Sequence, residues 1–301
     1  MEVIVADGMS KDGTRALILE FAETHSTLPI FIVDNPRRII PAALNQAIEA
    51  AESEFIIRLD AHSMPKPDYI ERCLSVLSET GAANVGGIWE IQAGKNNWVA
   101  RGIAAGAAHP LGAGGVRYRI GGEAGPVDTV PFGAFRRSWL ERIGPFDETL
   151  LTNEDYEYNF RIRAAGGEVY FDPSIRSVYL ARSDLSSLAS QYARYGYWKA
   201  QMLRRYPRAV RLRQLIPPIF VLSLLFLFLI SPFSLLMRTL LGVEWGVYSL
   251  VTLGSAMKEA WRRKDLRLIV SFPLAIGTMH LSWGTGFLVS IGKRIMGGKH
   301  E

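Results

Sequence analysis

The sequence predicts an α/β domain on a mostly parallel sheet, followed by a helical membrane region. Three observations carry this: strand and helix patterns alternate over the first 60 residues, carboxylates stand where strands end, and almost every long uncharged run lies after Leu215. At 301 residues, 49% hydrophobic and 21% charged, the composition is globular, which excludes disorder and fibrous repeats. The mean hydropathy of +0.11 averages two unlike parts. Cys73, the single cysteine, cannot close an internal disulfide, and no His/Cys cluster has zinc spacing. That cysteine usage makes the folded part read as cytosolic and not metal-stapled, and Met1 leads into Glu2-Val3-Ile4-Val5 with no pattern of a secretory signal.

Val3–Ala6 is a short apolar run that ends in the loop from Asp7 to Thr14, and Arg15–Glu23 reads as a helix. A second run, Ile30–Val33, a helical stretch, Pro41–Ala51, and a third run, Phe55–Leu59, complete a strand-helix alternation. Ligands of such sheets bind beyond the carboxyl ends of the strands, where Asp7 and Asp60 stand. Asp68–Gly81 reads as a helix and Val85–Ile91 as a strand, and the glycine-rich stretch Gly102–Gly125 as mostly loop with a short helix near Val99–Ala107. Val127–Arg136 reads as extended, and Asn153–Ala165 as a helix with Asn153 as N-cap. Val169–Phe171 and Ser177–Leu180 are short strands around Asp172-Pro173, and Leu185–Tyr206 is a long helix.

Apolar segments follow at about 215–237, 239–257 and 268–292, the second containing Glu244 and the third His280. Each is near the length that spans a bilayer. Net charge is +5, but six basic residues and no acidic one fall between Lys199 and Arg213, abutting the first segment. That is a membrane flank facing the cytoplasm and anionic lipid, and no recognition motif accompanies it, which argues against nucleic acid. Lys258–Arg267, with five basic and two acidic residues, should also be cytoplasmic. A third complete span would put Lys293, Arg294 and Lys299 outside, so either the last segment is re-entrant or the charge rule fails.

Asp7-Gly8-Met9-Ser10-Lys11-Asp12-Gly13-Thr14 puts two carboxylates and two glycines in one turn, suited either to a base or ribose donor or to capping the next helix through Asp12. Asp60-Ala61-His62 can hold a divalent cation against a diphosphate, manganese somewhat better than magnesium, or be a polar surface turn. Glu154 and Asp155 do not share a helix face, so one can serve as a general base while the other makes a structural contact; both also complement the helix dipole. Gln191, Arg194 and Tyr195 share a face at i, i+3 and i+4, where a guanidinium and an aromatic can close over an anionic or sugar ligand, or form ordinary helix surface.

Taken in order, D-G-x-S-x-D-G-T, the D-x-D-like turn, E-D and Q-x-x-R-Y resemble the family 2 glycosyltransferases of the GT-A fold over residues 1–206. With Val127–Phe135 and the apolar tail, the chain looks most like the succinoglycan-biosynthesis glucosyltransferases of bacterial exopolysaccharide assembly. The resemblance implies a GT-A domain at 1–206, Rossmann-like with a mostly parallel sheet, and a membrane region at 207–301. It implies donor contacts at Asp7, Asp12, Asp60, Gln191, Arg194 and Tyr195, a metal at Asp60 and His62, and Asp155 as catalytic base. Glu154, His109 and Phe135 fall on the acceptor side. Its cofactor is Mn2+ or Mg2+, its donor a UDP-sugar, and its acceptor a polyprenyl-diphosphate-linked saccharide at the bacterial inner membrane, with membrane lipids and other polysaccharide-assembly proteins as partners. Alternatives are a polyprenyl-phosphate sugar synthase of the same fold and a truncated, non-catalytic scaffold. The family's metal motif usually has aspartate where this chain has His62. Its usual first strand, V-S-V-I-I-P-like, has no counterpart here, which implies a chain starting after that strand.

Overall fold

A computed structural model describes residues 1–61 and 63–296. In chain order it contains β1 (Val3–Asp7), α1 (Thr14–Thr24), β2 (Ile30–Asp34), α2 (Ile40–Ala50), β3 (Phe55–Ile57), β4 (Met64–Pro65), α3 (Tyr69–Thr80) and β5 (Asn84–Ala93). Then come α4 (Trp98–Ala107), α5 (Pro110–Ala113), α6 (Arg117–Ile120), β6 (Gly125–Pro126), β7 (Ala134–Arg136), α7 (Arg137–Ile143), α8 (Glu154–Ala164) and β8 (Val169–Ala181). The chain ends in α9 (Leu185–Arg205), α10 (Leu212–Ile230), α11 (Leu235–Arg263) and α12 (Leu268–Met296).

The sheet structure is mixed. β1 and β2 run parallel as a two-stranded sheet, Val3 opposite Ile30 and Asp7 opposite Asp34. β3 does not extend that pair. It joins a second sheet of order β3-β7-β5-β8-β4, with β6 on β8. There it pairs antiparallel with β7, Phe55 opposite Arg136.

The chain divides into two compact units. The first comprises Met1–Gly87 and Glu123–Ile175. Its core gathers Tyr69, Cys73, Val76 and Leu77 of α3 with Val85, Ala134 and Ile175. These come from one apolar stripe of α3, at i, i+4, i+7 and i+8, laid on strand residues that point the same way. Gly81 stops α3 in the left-handed region at φ 67°. Cys73 is buried here, and its thiol is pushed up to about 12 by desolvation.

Two strand readings change. Of the stretch Val127–Arg136 only Ala134–Arg136 forms a strand, since Phe132 and Gly133 take positive φ (58° and 107°) and break the extended run. The two short strands around Pro173 are a single one, β8. Pro173 is exposed there, and Asp172 accepts from the Ser174 N–H at 2.8 Å, so the proline is accommodated without ending the strand. At α8, Asn153 occupies the N-cap position in a left-handed conformation (φ 69°), without the side-chain cap bond its identity suggests.

The second unit comprises Ile88–Gly122 and Arg176–Glu301, and in it α4 and α9 cluster with the tail. Phe272, Ile276 and Met279 of α12 are buried among Ile103 of α4 and Leu188 and Tyr192 of α9. The contact between α9 and α12 is close. A Cβ on Gly196 would stand 2.0 Å from Trp283 O, and one on Gly286 would stand 2.0 Å from Ala193 O. Each helix therefore presents a glycine to the other's backbone, a small-residue packing mode. Leu212–Phe233, Leu235–Arg263 and Leu268–Lys293 are each long and apolar enough to cross a membrane, with mean hydropathies of 2.4, 1.2 and 1.3. The break between the first two falls at Ser231-Pro232-Phe233, inside the first expected segment, where proline interrupts the helix.

Helix α9 starts at Asp184, whose carboxylate accepts from Ser187 N–H at 2.8 Å and from the Ser186 and Ser187 hydroxyls. Those bonds hold its pKa at about 2, against the ordinary 3.8. A depressed carboxyl stabilises the fold above the unfolded value and loses that contribution as pH falls through the folded one. Asp184→Ala should therefore lower the unfolding midpoint at neutral pH, and the difference from wild type should shrink between pH 3.8 and 2. Parallel thermal scans across that range test this.

Candidate active site

In the first unit, charged residues collect at strand ends and at the start of α8. Arg58 follows β3 directly, and its side chain is only 7% exposed. Its Nε donates to Asp60 Oδ1 at 3.0 Å, and one terminal nitrogen donates to Glu154 Oε1 at 3.0 Å. The Ser63 N–H and hydroxyl both donate to Asp60 O, at 2.8 and 2.7 Å, which shapes the turn carrying the carboxylate. Burial works against the Arg58 charge, but Asp60, Glu154 and Asp155 outweigh it and keep the guanidinium protonated. Glu154 is buried, and desolvation followed by repulsion from Asp155 raises its pKa against the pull of Arg58. Asp155 is half-buried, and one of its oxygens accepts from the Tyr156 N–H at 2.7 Å. One cation among three carboxylates leaves the cluster net negative, which favours a cationic guest.

Asp60 fits the metal role in its chemistry. Its side chain is 26% exposed, and Arg58 engages Oδ1. A magnesium or manganese ion bound with a nucleotide diphosphate needs only one or two protein carboxylates, because substrate phosphates and water complete the set. Among the described residues there is no group of three or more metal-capable side chains, and the other expected ligand, His62, lies outside them.

The first two strands end in a second charged cluster. Asp7 and Asp34 stand in register, and Arg15 of α1 bridges them with bonds of 3.0 and 2.5 Å. Asp7 is buried and also accepts from the Ser10 N–H at 3.0 Å. The Ser10 hydroxyl, then its amide and Arg15, outweigh desolvation and keep the Asp7 carboxyl below its usual range. Asp12 is exposed and accepts from the Thr14 N–H and hydroxyl at 3.2 and 2.7 Å, an aspartate turn leading into α1. Phe135 is buried in β7, edge-to-face against Tyr158.

In the second unit, Gln191 is buried and donates to the Tyr195 hydroxyl at 2.9 Å and to the Tyr179 hydroxyl at 3.3 Å, while Arg194 is exposed. His109 caps α5, accepting from the Leu111 N–H at 3.2 Å, and stands edge-on to Phe272. Burial lowers its pKa, so it is neutral at pH 7.

Sequence reading missed Arg58, Arg15 and Asp34. Arg58 had a visible signal, being a charge placed inside an apolar strand run two residues before Asp60. Asp34 ends the second apolar run just as Asp7 ends the first.

Residues 1–144 match the family described as Glycosyl transferase family 2. The succinoglycan biosynthesis protein ExoA of Rhizobium meliloti (strain 1021) is 30% identical over 287 residues, covering 95% of this chain and 84% of that protein. A dolichyl N-acetyl-alpha-D-glucosaminyl phosphate 3-beta-D-2,3-diacetamido-2,3-dideoxy-beta-D-glucuronosyltransferase of Methanococcus voltae is 28% identical, covering 68% of this chain and 64% of that one. Among solved structures, the mannosyltransferase PcManGT of Pyrobaculum calidifontis, in complex with GDP-Man and Mn2+, superposes with a TM-score of 0.61 at 19% identity. That match covers 93% of this chain and 77% of that one, and shows a shared GT-A-like fold. Identity sustained along most of both chains in ExoA, a family match over the first strands and their charged ends, and that fold agree: the chain belongs to glycosyl transferase family 2 and is a glycosyltransferase.

Proposed function

We propose that the chain is an inverting hexosyltransferase that moves glucose from UDP-glucose to a hydroxyl of a polyprenyl-diphosphate-linked saccharide, at the cytoplasmic face of the bacterial inner membrane. The observation that carries this is the unequal treatment of two adjacent carboxylates: Arg58 grips Glu154, and Asp155 beside it is half-buried. Support for the acceptor comes from the relatives, one named for succinoglycan biosynthesis and one for transfer to a dolichyl-phosphate-linked sugar, and from the three candidate spans.

In this reading, Asp155 accepts the proton of the acceptor hydroxyl as its oxygen attacks the anomeric carbon, and the bond from that carbon to the diphosphate oxygen breaks on the opposite face. Glu154 keeps Arg58 and the start of α8 in place. Asp7 and Asp12 contact the uridine part, and Gln191, Arg194 and Tyr195 contribute donor contacts, with Arg194 as a cation for the leaving diphosphate. Asp60 and His62 would hold a divalent cation, which when bound neutralises diphosphate charge.

UDP calorimetry on the detergent-purified chain, with and without manganese, is the first test. Asp60→Ala is expected to weaken manganese-dependent binding about tenfold or more, the scale on which loss of a carboxylate near a metal acts. Equal affinity with and without metal in both proteins would remove Asp60 from the donor site. Radiolabelled UDP-glucose supplied with membrane lipid extract should then give a lipid-soluble product stable to mild acid. An acid-labile product would mean transfer to a lipid phosphate.

A further inference from the structure

Arg119 is held within the second unit among aromatic rings and phenol hydroxyls. α6 brings its guanidinium to 5.4 Å from the Trp89 ring centre and 5.7 Å from that of Tyr118. One terminal nitrogen donates to the Tyr192 hydroxyl at 3.1 Å. Nε is shut off from solvent and, among the described residues, has no hydrogen-bond partner, and no carboxylate there pairs with the side chain. The neighbouring rings are ordered in their turn. Trp89 and Tyr179 stack at 4.3 Å, within 3° of parallel, and Gln191 ties Tyr179 to Tyr195 through their hydroxyls.

A cation withdrawn from water is costly unless an anion accompanies it, and aromatic faces and phenol oxygens only partly replace one. Among the described residues, no carboxylate pairs with Arg119 as Asp60 and Glu154 pair with Arg58. A planar guanidinium with donors to spare selects phosphate oxygens, and the rings beside it suit the C–H faces of a sugar or an isoprenoid.

The segment that carries Arg119 is also fixed to the membrane helices. His280 Nε2 of α12 lies 2.9 Å from Leu111 O of α5. A Cβ on Gly114 would lie 3.7 Å from Cδ of Arg213, in the first turn of α10. Phosphate presented by a lipid is therefore the source that this placement favours.

We propose that Arg119, framed by Trp89, Tyr118 and Tyr192, seats the phosphate or diphosphate of a lipid-linked ligand, the acceptor if the function proposed above holds. The probe is farnesyl diphosphate, titrated in EDTA into the full-length chain in detergent, with farnesol, inorganic pyrophosphate and UDP as comparisons. Wild type should bind farnesyl diphosphate at least about tenfold tighter than farnesol or pyrophosphate. Arg119→Gln should lose about tenfold or more of that affinity, and Arg119→Lys, which keeps charge but not the fork, should lose less. UDP binding with manganese should stay within about twofold of wild type in both variants.

Unchanged farnesyl diphosphate affinity in a folded Arg119→Gln overturns the proposal. So does a matching loss of UDP affinity, which would assign Arg119 to the donor, and so does pyrophosphate binding as tightly as the prenyl compound, which would make the ligand a free phosphate. If Arg119→Gln does not fold, quenching of tryptophan fluorescence by farnesyl diphosphate, present in wild type and absent in Trp89→Phe, reads the same seat, and quenching that survives in Trp89→Phe counts against it. Asp155→Asn separates the two readings, since it should stop transfer and leave farnesyl diphosphate binding intact.

Discussion

Asp155→Asn is expected to reduce sugar transfer by roughly 10²–10⁴-fold, the range attributed to a lost general base, while UDP binding stays near wild type. The substitution is nearly isosteric. Its side-chain oxygen can still accept from the Tyr156 N–H, as the carboxylate does at 2.7 Å, so the start of α8 should survive. What disappears is a site that can take a proton from the acceptor hydroxyl. Initial rates at saturating donor, paired with UDP calorimetry on the same preparation, separate the two effects. An undiminished rate would move the base elsewhere, and a parallel fall in UDP affinity would make Asp155 a binding residue.

Arg58→Met should give the largest loss of stability among substitutions at the charged cluster, about 3–5 kcal/mol, the cost of removing one partner from a buried ion pair. Against a total of about 5–15 kcal/mol for a typical domain, that loss is severe. The Arg58 and Glu154 side chains are only 7% and 9% exposed, so little water is available to replace the missing cation. Loss of the guanidinium should raise the Glu154 pKa further, since Arg58 is what opposes desolvation and Asp155 there. A carboxyl whose folded pKa exceeds its unfolded one binds its proton more readily when folded, so the variant's deficit is greatest above the folded pKa. It should shrink as pH falls toward the ordinary value of 4.5. Urea titrations at pH 8 and pH 5 would show this, and an equal deficit at both would mean that Glu154 does not titrate in that range. The double variant Arg58→Met, Glu154→Leu should recover part of the loss, because an apolar pair of similar volume tolerates burial that a lone charge does not.

Local patterns in the sequence carried most of the elements. Period and capping signals located α1, α2, α3, α8 and α9 within a residue or two, since helix termini are marked by residues near in sequence. Pairing was less legible. Nothing in Phe55–Leu59 distinguishes a strand that extends β1–β2 from one that takes β7 as an antiparallel neighbour, because strand periodicity describes faces and not edges. The same limit applied to the candidate site. Asp60, Glu154 and Asp155 stand out as acidic residues at element ends, but Arg58 becomes meaningful only when folding joins it to Glu154, 96 residues away in sequence. Arg119 gave no signal at all, since its setting is defined by rings from β5, β8 and α9.

The glycine contacts between α9 and α12 bear on how the chain is made. Gln201 of α9 donates to Ser290 of α12 at 3.0 Å, and those residues are 89 apart. Until α12 leaves the ribosome and enters the bilayer, the α9 surface around Gly196 lacks the helix that covers it in the folded unit. Completion of the second unit is thus tied to the insertion of α12, and a contact of such large sequence separation forms slowly. During that interval an apolar face adjoining a polybasic stretch is open to proteases and holdase chaperones. Substitutions at Gly196 or Gly286 should therefore reduce the amount of protein that accumulates in cells more than the turnover of each molecule that matures.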